Sequence, residues 1–383
     1  MRRIGVFTGS RAEYGLLVPV LRAIDADPAL ELRLVAGGAH QIEDDEFPVA
    51  AHVPITRADE TPGSTPRAIG NGVVGIVNAL EALHPDAVVV YGDRFEAFAA
   101  MIAATQMSIP TAHIEGGDLT QGGTLDDVVR HAMSKLAHLH FTTNMAAADR
   151  LRAMGEEDWR IHNVGFPPID LIQAGDYAPP DEVVAYLGVD PARPIALFTL
   201  HPISTSPEVA SEEIAACLGA LDQAQTELGA QIVLTYPNGD IGSEAIIAAL
   251  KSFAADREDV VLRQSLGRRL YHGLLNVCGA GRGVCVGNSS SGLKETPAFH
   301  CPAIDIGTRQ NGRLRGANVL HVPCEADAIF EAIQKSIEDH AFRAAIKAAE
   351  NPYGQGNAGP MIAGYLRDLD LENKALLPKR TVL

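Results

Sequence analysis

The chain is 383 residues long, carries a net charge of −17 and is 46% hydrophobic. This length is enough for two domains of ordinary size. The acidic balance, with no basic run to outweigh it, argues against a nucleic-acid partner. An anionic small molecule is still compatible with the charge, because a few arginines and helix N-termini can bind a phosphate locally.

The cysteine content indicates a reduced, cytoplasmic protein. The five cysteines are an odd number without a C-x-x-C pair, so neither a disulfide framework nor a zinc site is predicted. The apolar run Ile4–Phe7 is too short for the core of a signal peptide. No segment approaches the ~20 apolar residues that cross a bilayer, so no membrane partner is expected.

Strand-like apolar runs alternate with helical patterns along the first half of the chain. Because the runs are apolar throughout, they are typical of strands covered on both faces in a parallel sheet. In chain order the segments are strand Ile4–Thr8, helix Gly15–Ile24, strand Leu32–Ala36, helix Thr65–Leu83, strand Ala87–Tyr91, helix Phe95–Met107, strand Thr111–Ile114, helix Leu125–Leu136 and strand His140–Thr143.

The alternation restarts after a break at Gly165–Pro168. The second set is strand Ile195–Leu200, helix Ala210–Leu228, strand Ile232–Tyr236, helix Ser243–Ala255, strand Val260–Leu262, helix Arg268–Cys278, strand Gly283–Val286, helix Gly292–Phe299 and strand Ala303–Ile306. The sequence therefore predicts an α/β fold with two domains, residues 1–166 and 167–383, facing each other across a cleft. Which domain the final helix packs on is left open.

Acidic and basic residues are concentrated after two successive strands. Asp93 and Arg94 follow one strand, Glu115 follows the next, and Asp126 lies at the start of the helix after it. The carboxyl ends of parallel strands meet at one edge of a sheet, where ligands bind. Convergent carboxylates at that edge predict proton-transfer chemistry on an anionic substrate.

Ordinary structural roles compete with this interpretation. Asp126 and Asp127 suit a helix N-terminus through the helix dipole, and Arg130 and His131 can simply pair with them one turn later. Two further acids are equally consistent with solvated surface positions: Glu96 and Asp118. The convergence of acids at one sheet edge favours a function.

Arg11 lies in the turn that follows the first strand, and its guanidinium can reach an anionic oxygen. A plain strand–helix turn with a surface arginine explains the same residues. The segment is not a G-x-G-x-x-G motif, so no nicotinamide site is predicted.

A serine-rich loop joins a strand to a helix in the second half. The hydroxyls of Ser289 and Ser290 and the free amides before Gly292 form a candidate anion cradle. Glu295, one turn later, is placed to accept from a ribose diol, and Arg309 follows the next strand at the same edge. The alternative is an ordinary cluster of N-capping serines.

Histidines give weaker signals. His201 ends the first strand of the second half and can donate to a phosphate or a leaving oxygen, although a lone histidine there is more often structural. His138 and His140 have the spacing of a metal pair but no third ligand nearby, so no metal is expected. No motif calls for a cofactor.

Taken together, the motifs occur in an order that resembles a known family. They are Gly9–Gly15, Gly92–Arg94, His113–Gly117, Leu125–Ala132, Lys135–His138, His201–Pro202 and the stretch Gly287–Gln310. Over roughly residues 3–325 the chain is similar to the hydrolysing UDP-N-acetylglucosamine 2-epimerases, which include bacterial sialic- and legionaminic-acid enzymes and the epimerase half of the animal bifunctional epimerase/kinase. The resemblance implies a GT-B-like pair of Rossmann-like domains, UDP held mainly by the second, and a homodimer or homotetramer.

Some positions depart from the family pattern. Tyr91 stands where members often carry a histidine, the loop from Ala39 to Phe47 lacks a Gly-Asn-Thr-like stretch, and the loop from Asp118 to Thr124 is slightly long. These departures lie where a sugar would sit. They leave two substrates open: UDP-GlcNAc, and a UDP- or GDP-linked 2,4-diacetamido-trideoxy sugar on the way to legionaminic acid.

The resemblance implies that UDP-GlcNAc and water give ManNAc and UDP through a 2-acetamidoglycal. Departure of the nucleotide from C1 acidifies the C2 hydrogen, so the reaction needs a stabilised diphosphate and a carboxylate near C2. Residues suited to the diphosphate are Arg11, His201, Ser289, Ser290 and Arg309. Glu115 and Asp126 suit the proton chemistry, with Asp93 as a stabilising or orienting group, and which of the first two removes the proton is left open.

Two other functions are compatible with parts of the pattern. A GT-B glycosyltransferase shares the fold and donor site but needs only one base and an acceptor groove. A non-catalytic nucleotide-sugar sensor would bind tightly without turnover. The density of acids in the first half favours the epimerase.

Overall fold

Long apolar runs and helical patterns form two parallel sheets with helices packed against them. A computed structural model describes residues 1–38, 46–59, 61–120, 125–203, 206–238 and 242–382. The chain divides into two units. The first comprises Met1–Leu119, Leu125–Leu171 and Tyr353–Leu383, and the second is built mainly from Ile172–Pro352.

The first unit contains a seven-stranded sheet with the order β3-β2-β1-β4-β5-β6-β7. All of its neighbouring strands are parallel, and the first six strands have the order of a Rossmann sheet. The strands are β1 (Arg2–Thr8), β2 (Leu30–Gly37), β3 (Val49–Val53), β4 (Ala87–Tyr91), β5 (Thr111–Ile114), β6 (Leu139–Thr142) and β7 (Ile161–Asn163).

Helices pack against this sheet because each strand pair needs a crossover connection. They are α1 (Arg11–Ala26), α2 (Ser64–Leu83), α3 (Phe95–Gln106), α4 (Leu125–Leu136), α5 (Met145–Ala153) and, at the end of the chain, α14 (Ala358–Asp368). α14 packs closely on α1, since a Cβ on Gly359 would lie 2.4 Å from the carbonyl oxygen of Pro19. Asp170 accepts the backbone N–H of Ala358 at 2.9 Å and so caps the start of α14.

The second unit contains a six-stranded parallel sheet with the order β10-β9-β8-β11-β12-β13, again a Rossmann order. Its strands are β8 (Ile195–Thr199), β9 (Gln231–Thr235), β10 (Val260–Arg263), β11 (Gly283–Gly287), β12 (Ala303–Ile306) and β13 (Val319–Val322). Its helices are α7 (Pro180–Leu187), α8 (Ala210–Leu228), α9 (Ser243–Ala254), α10 (Gly267–Ala280), α11 (Ser291–Lys294), α12 (Ala326–Glu338) and α13 (His340–Ala348), and α6 (Pro168–Gln173) contains the boundary between the units.

The predicted α/β class with two Rossmann-like sheets is confirmed. The single helix predicted at Gly292–Phe299 is wrong: α11 ends at Lys294, and a separate 3-10 turn covers Thr296–Phe299. Pro297 explains the interruption, because it lacks an N–H and disfavours helical backbone at the residue before it.

None of the helices in the described ranges combines the length and apolar character needed to cross a bilayer. The family departure at residues 39–45, and the part of the longer loop at residues 121–124, lie outside the described residues.

Candidate functional site

A buried arginine organises the carboxylates at the ends of β4 and β5. Arg130 is 1% exposed; it donates from Nη2 to Asp93, and from Nη1 to Asp127 at 3.0 Å and to the carbonyl of Asp118 at 3.1 Å. Burial alone would lower the pKa of Arg130, but the charges of Asp93, Asp118 and Glu115 outweigh it and raise that pKa. Arg130 is therefore a permanent cation that compensates several carboxylates at once.

Glu115 is fixed by both its backbone and its side chain. It is 6% exposed and has φ +70°, a left-handed conformation that is uncommon away from glycine. Its N–H donates to the carbonyl of Phe141 in β6 at 3.0 Å. The hydroxyl of Tyr91, the last residue of β4, donates to its Oε2. Two neighbouring strands thus set the direction of this carboxylate.

Asp126 belongs to a different electrostatic group. It is exposed in the first turn of α4, and its charge acts on Arg94. Arg94 is half-exposed and bonds Glu96 at 3.1 Å. Burial lowers the pKa of Arg94, but Glu96, Glu13 and Asp126 more than reverse that effect and raise it. Asp93 and Glu115 therefore gather around Arg130, whereas Asp126 lies near Arg94.

Sequence reasoning missed Glu13. Its Oε2 accepts the N–H of Gly9 at 2.6 Å, and its own N–H donates to the hydroxyl of the N-cap Ser10 at 3.2 Å. Burial raises the pKa of Glu13 from 4.5 to about 8, so the carboxyl is largely protonated at neutral pH. The Ser10–Glu13 spacing of a capping box was the available signal.

His113 ties the turn after β4 to helix α4. Its Nε2 lies 2.7 Å from the carbonyl of Gly92, and its Nδ1 lies 3.3 Å from the hydroxyl of Ser134. Burial lowers the pKa of His113 to about 4, so the ring is neutral at physiological pH. A neutral ring that donates through Nε2 holds Gly92, and with it the neighbouring Asp93, against α4.

The ordinary-role alternatives have mixed outcomes. Asp127 does pair with Arg130, and its carboxylate lies 3.7 Å from Nε2 of His131. The surface alternative for the other two acids is wrong, because Glu96 is 4% and Asp118 is 3% exposed. Glu96 is buried beside Arg94 and Asp118 beside Arg130, so each belongs to one of the two charged groups.

In the second unit, three separate predictions meet at the buried residue Asn288. Asn288 accepts the N–H of His201 at 2.7 Å and donates to its carbonyl at 2.8 Å. The carbonyl of Asn288 accepts from Arg309 at 3.1 Å and from the buried Gln310 at 2.8 Å. The next residue in the chain is Ser289. Asn288 therefore gathers His201, Arg309 and the serine loop at one sheet edge.

The imidazole of His201 is held in one tautomer. Its Nδ1 accepts the backbone N–H of Asn238 at 3.0 Å, so a neutral ring carries its proton on Nε2. Desolvation and the nearby charge of Arg309 lower the pKa of His201 to about 3, although a side-chain hydrogen bond with Asn238 acts in the other direction. His201 is therefore a neutral hydrogen-bond donor over the physiological pH range.

The serine loop is supported from α10. The hydroxyl of Tyr271 lies 2.6 Å from that of Ser291, which donates to Ser289 at 3.2 Å. Before the loop, Gly287 has φ +141°, and a Cβ there would lie 1.8 Å from the carbonyl oxygen of Thr199, so only glycine fits. A small cavity beside the loop is lined in part by Thr199, Ser289, Gly292 and Asp305.

The remaining predicted residues occupy distinct places. Glu295 is buried, and His272 of α10 lies 3.0 Å from its Oε2. Gly292 is in α11, and its carbonyl accepts from the hydroxyl of Thr296 at 2.6 Å. Ser290 is half-buried at the N-cap of α11, and Arg11 is exposed at the start of α1. In the described ranges, no group of three or more His, Cys, Asp or Glu side chains is arranged to hold a metal ion.

Comparison with known proteins extends over nearly the whole chain. A family model described as UDP-N-acetylglucosamine 2-epimerase matches residues 22–367. The chain is 32% identical to the UDP-N,N'-diacetylbacillosamine 2-epimerase (hydrolyzing) of Legionella pneumophila, with 98% of each protein covered. It is 33% identical to the UDP-N-acetylglucosamine 2-epimerase of Neisseria meningitidis serogroup B, with 90% of each covered.

A solved structure has the same fold. The crystal structure of UDP-GlcNAc 2-epimerase from Neisseria meningitidis bound to UDP-GlcNAc superposes with a TM-score of 0.80 at 20% identity, covering 96% of this chain and 99% of that one. The extent of the family match and the two relatives above 30% identity establish that this chain belongs to the UDP-N-acetylglucosamine 2-epimerase family.

Proposed function

We propose that this protein is a hydrolysing 2-epimerase that converts UDP-GlcNAc and water into ManNAc and UDP. The observation that carries the proposal is the placement of Asp93 and Glu115 beside the buried cation Arg130, at the carboxyl ends of adjacent strands. Family membership supports the 2-epimerase activity, and the Legionella relative is named as a hydrolysing enzyme.

The second unit supplies the leaving-group chemistry in this proposal. The Nε2–H of neutral His201, the guanidinium of Arg309 and the hydroxyl of Ser289 are gathered around Asn288. A cation and preorganised donors stabilise the charge that builds on a departing diphosphate. The C1–O bond breaks with its electron pair leaving on UDP.

The first unit supplies the proton chemistry. We assign removal of the C2 proton to Glu115, since its carboxylate accepts from Tyr91 and lies near the charge of Arg130. The electrons of the C2–H bond form the C1=C2 double bond of a 2-acetamidoglycal. Water then adds at C1 and gives up a proton to solvent, while Asp126, which is exposed to solvent, transfers a solvent-derived proton to the opposite face of C2.

An isotope-labelling experiment tests this order of bond breaking and bond formation. The protein is incubated with UDP-GlcNAc alone, in D₂O and separately in H₂¹⁸O, and the products are followed by NMR and mass spectrometry. The expected product is free ManNAc with deuterium at C2 and, at early times, ¹⁸O on the anomeric oxygen. Absence of C2 deuterium overturns the proposal.

The same experiment separates the rival functions. A glycosyltransferase acting as a slow hydrolase gives the C1 label without C2 deuterium. A non-hydrolysing epimerase gives C2 deuterium in a sugar still joined to UDP, and a sensor gives no product.

The substrate requires its own comparison, because the two relatives described above are named for different sugars. A panel of UDP-GlcNAc, UDP-N,N'-diacetylbacillosamine and its GDP-linked form ranks the substrates by kcat/KM. The proposal expects the highest value with UDP-GlcNAc. A higher kcat/KM with a diacetamido sugar would change the assigned substrate but leave the proposed reaction unchanged.

A further inference from the structure

The C-terminal segment of the chain is held against the rest of the first unit by a buried arginine. Arg160 donates to the carbonyls of Ala375 at 2.6 Å, Leu376 at 2.8 Å and Pro378 at 3.0 Å. Further along, the N–H of Val382 donates to the carbonyl of Gly155 at 3.0 Å. The segment between these anchors, which contains Lys379, therefore has a fixed course over the unit.

Lys379 makes three contacts from this segment. Its Nζ lies 2.6 Å from Oε2 of the buried Glu156, and it donates to the carbonyls of Ser134 at 3.1 Å and Lys135 at 2.9 Å. The two carbonyls belong to the last turn of α4, where the final four carbonyls lack partners within the helix. A cation at that position also interacts favourably with the helix dipole.

α4 carries the acidic machinery at its other end. Asp126 and Asp127 lie in its first turn, and Arg130, one turn on, bonds Asp93. Ser134 connects the two ends, because its hydroxyl donates to the carbonyl of Arg130 at 3.0 Å. A shift at the last turn of α4 therefore moves Arg130 and the carboxylates around it.

Apolar packing holds one face of α4. Met133 belongs to the hydrophobic core of the first unit, and Val129 and Leu136 pack against that core, whereas Leu125 and Val128 are exposed. The contacts of the last turn with Lys379 act in addition to this packing.

We propose that Lys379 is a positioning residue that sets the register of α4 and thereby the geometry of Arg130, Asp93 and Asp126. The proposal rests on the proposed function for its kinetic consequence, although the contact between the tail and the helix does not. Glu156 stays compensated when Lys379 is removed, because Lys135 lies 2.6 Å from its other oxygen and His140 lies 3.0 Å away. A Lys379 variant should therefore fold.

The test compares Lys379→Met, which keeps the apolar stem, with Lys379→Arg, which keeps the donors. Lys374→Met is the matched control, since Lys374 is an exposed lysine on the same segment. In Lys379→Met, kcat should fall roughly 10-fold from misplacement of reacting groups, with KM and the Kd for UDP unchanged. Lys379→Arg should recover most of kcat, and Lys374→Met should equal the wild type.

A second readout does not depend on turnover. Hydrogen exchange followed by mass spectrometry should show amides of α4 exchanging at least about 10-fold faster in Lys379→Met, with those of α2 unchanged. Wild-type kcat in Lys379→Met, unchanged α4 exchange, or an equal loss in Lys374→Met overturns the proposal. If the wild type turns over none of the sugars in the panel, the proposed function is wrong. The rate of amide hydrogen exchange in α4 then decides on its own whether Lys379 sets the register of the helix.

Discussion

The hydroxyl of Tyr91 donates a hydrogen bond to the carboxylate of Glu115. The contact follows from strand register, since Tyr91 ends β4 opposite Ile114 of β5, and Glu115 is the next residue. Tyr91 was notable in the sequence only because it replaces a histidine that is frequent in the family. The structure shows that Tyr91 contacts Glu115, so loss of the Tyr91 hydroxyl should affect that carboxylate.

Tyr91→Phe should lower kcat about 10-fold or more, because a hydrogen bond to a charged group contributes about 1.5–3 kcal/mol. Steady-state kinetics with UDP-GlcNAc measures kcat and KM of the variant. The control Tyr186→Phe removes the hydroxyl of a more exposed tyrosine, and a wild-type kcat in Tyr91→Phe would contradict the assignment.

Because Glu115 and Asp126 have different proposed roles, their substitutions should produce two different defects. Glu115→Gln should block the first step, so kcat falls roughly 10²-fold or more and no glycal forms. Asp126→Asn should permit elimination but impair rehydration, and 2-acetamidoglycal and UDP should then accumulate in single-turnover samples analysed by mass spectrometry. Calorimetry with UDP serves as the control for intact binding. Glycal released by Glu115→Gln instead would reverse the two roles.

Periodicity in the sequence was sufficient to predict the helices and strands that form the buried parts of the fold. The bounds of Ala87–Tyr91, Thr111–Ile114, Leu125–Leu136 and Ala210–Leu228 agree with the structure to the residue, because each element has a continuous apolar run or a clear helical stripe. The strands β3, β7 and β13 were missed, and all three lie at the edges of their sheets. All are partly exposed, so none produces a continuous apolar run.

The candidate site was only partly visible in the sequence. Strand ends identified Asp93 and Glu115 as neighbours, since position after a strand is a local property. The central roles of Arg130 and Asn288 depend on contacts between residues 37 and 87 positions apart, which no local pattern records. The raised pKa of Glu13 likewise depends on burial, which sequence does not report for a polar residue.

Glu13 should make stability fall as pH rises. Its folded-state pKa is about 8 against 4.5 for the free group, so between these values the native state binds more protons than the unfolded chain. The free energy of unfolding should therefore decrease over this window, with a slope approaching about 1.4 kcal/mol per pH unit from this residue. Glu13→Gln should remove that contribution.

Urea denaturation of the wild type and Glu13→Gln at pH 5, 6, 7 and 8 measures the difference. The exposed Glu372 provides a matched control in Glu372→Gln, which should retain the wild-type slope. Equal slopes in the wild type and Glu13→Gln would show that Glu13 is ionised in the folded state.

His201 should not titrate in the physiological range. Its pKa is lowered to about 3 from 6.5. Below pH 6.5 the unfolded chain therefore binds a proton at this residue that the native state does not bind. The contribution of His201 to stability is therefore full above pH 6.5 and is lost as pH falls toward 3. ¹⁵N NMR of the imidazole should show a neutral ring with the proton on Nε2 from pH 5 to 8, assigned by its absence in His201→Gln. A midpoint near 6.5 would show that the folded protein does not lower the pKa of His201.

Arg309 should contribute directly to nucleotide affinity. It is anchored through Asn288 beside the serine loop, so its charge lies next to the candidate anion cradle. Arg309→Ala should weaken UDP binding by about 1.5–3 kcal/mol, roughly a 10- to 150-fold increase in Kd by calorimetry. Arg309→Lys should recover part of the loss, because it keeps the charge but not the forked geometry. Arg257→Ala removes an arginine of the same unit that pairs with Asp222, and should leave UDP affinity unchanged. If Arg309→Ala and Arg257→Ala bind UDP equally well, Arg309 only shapes the loop, and the diphosphate must be held by His201 and the serines.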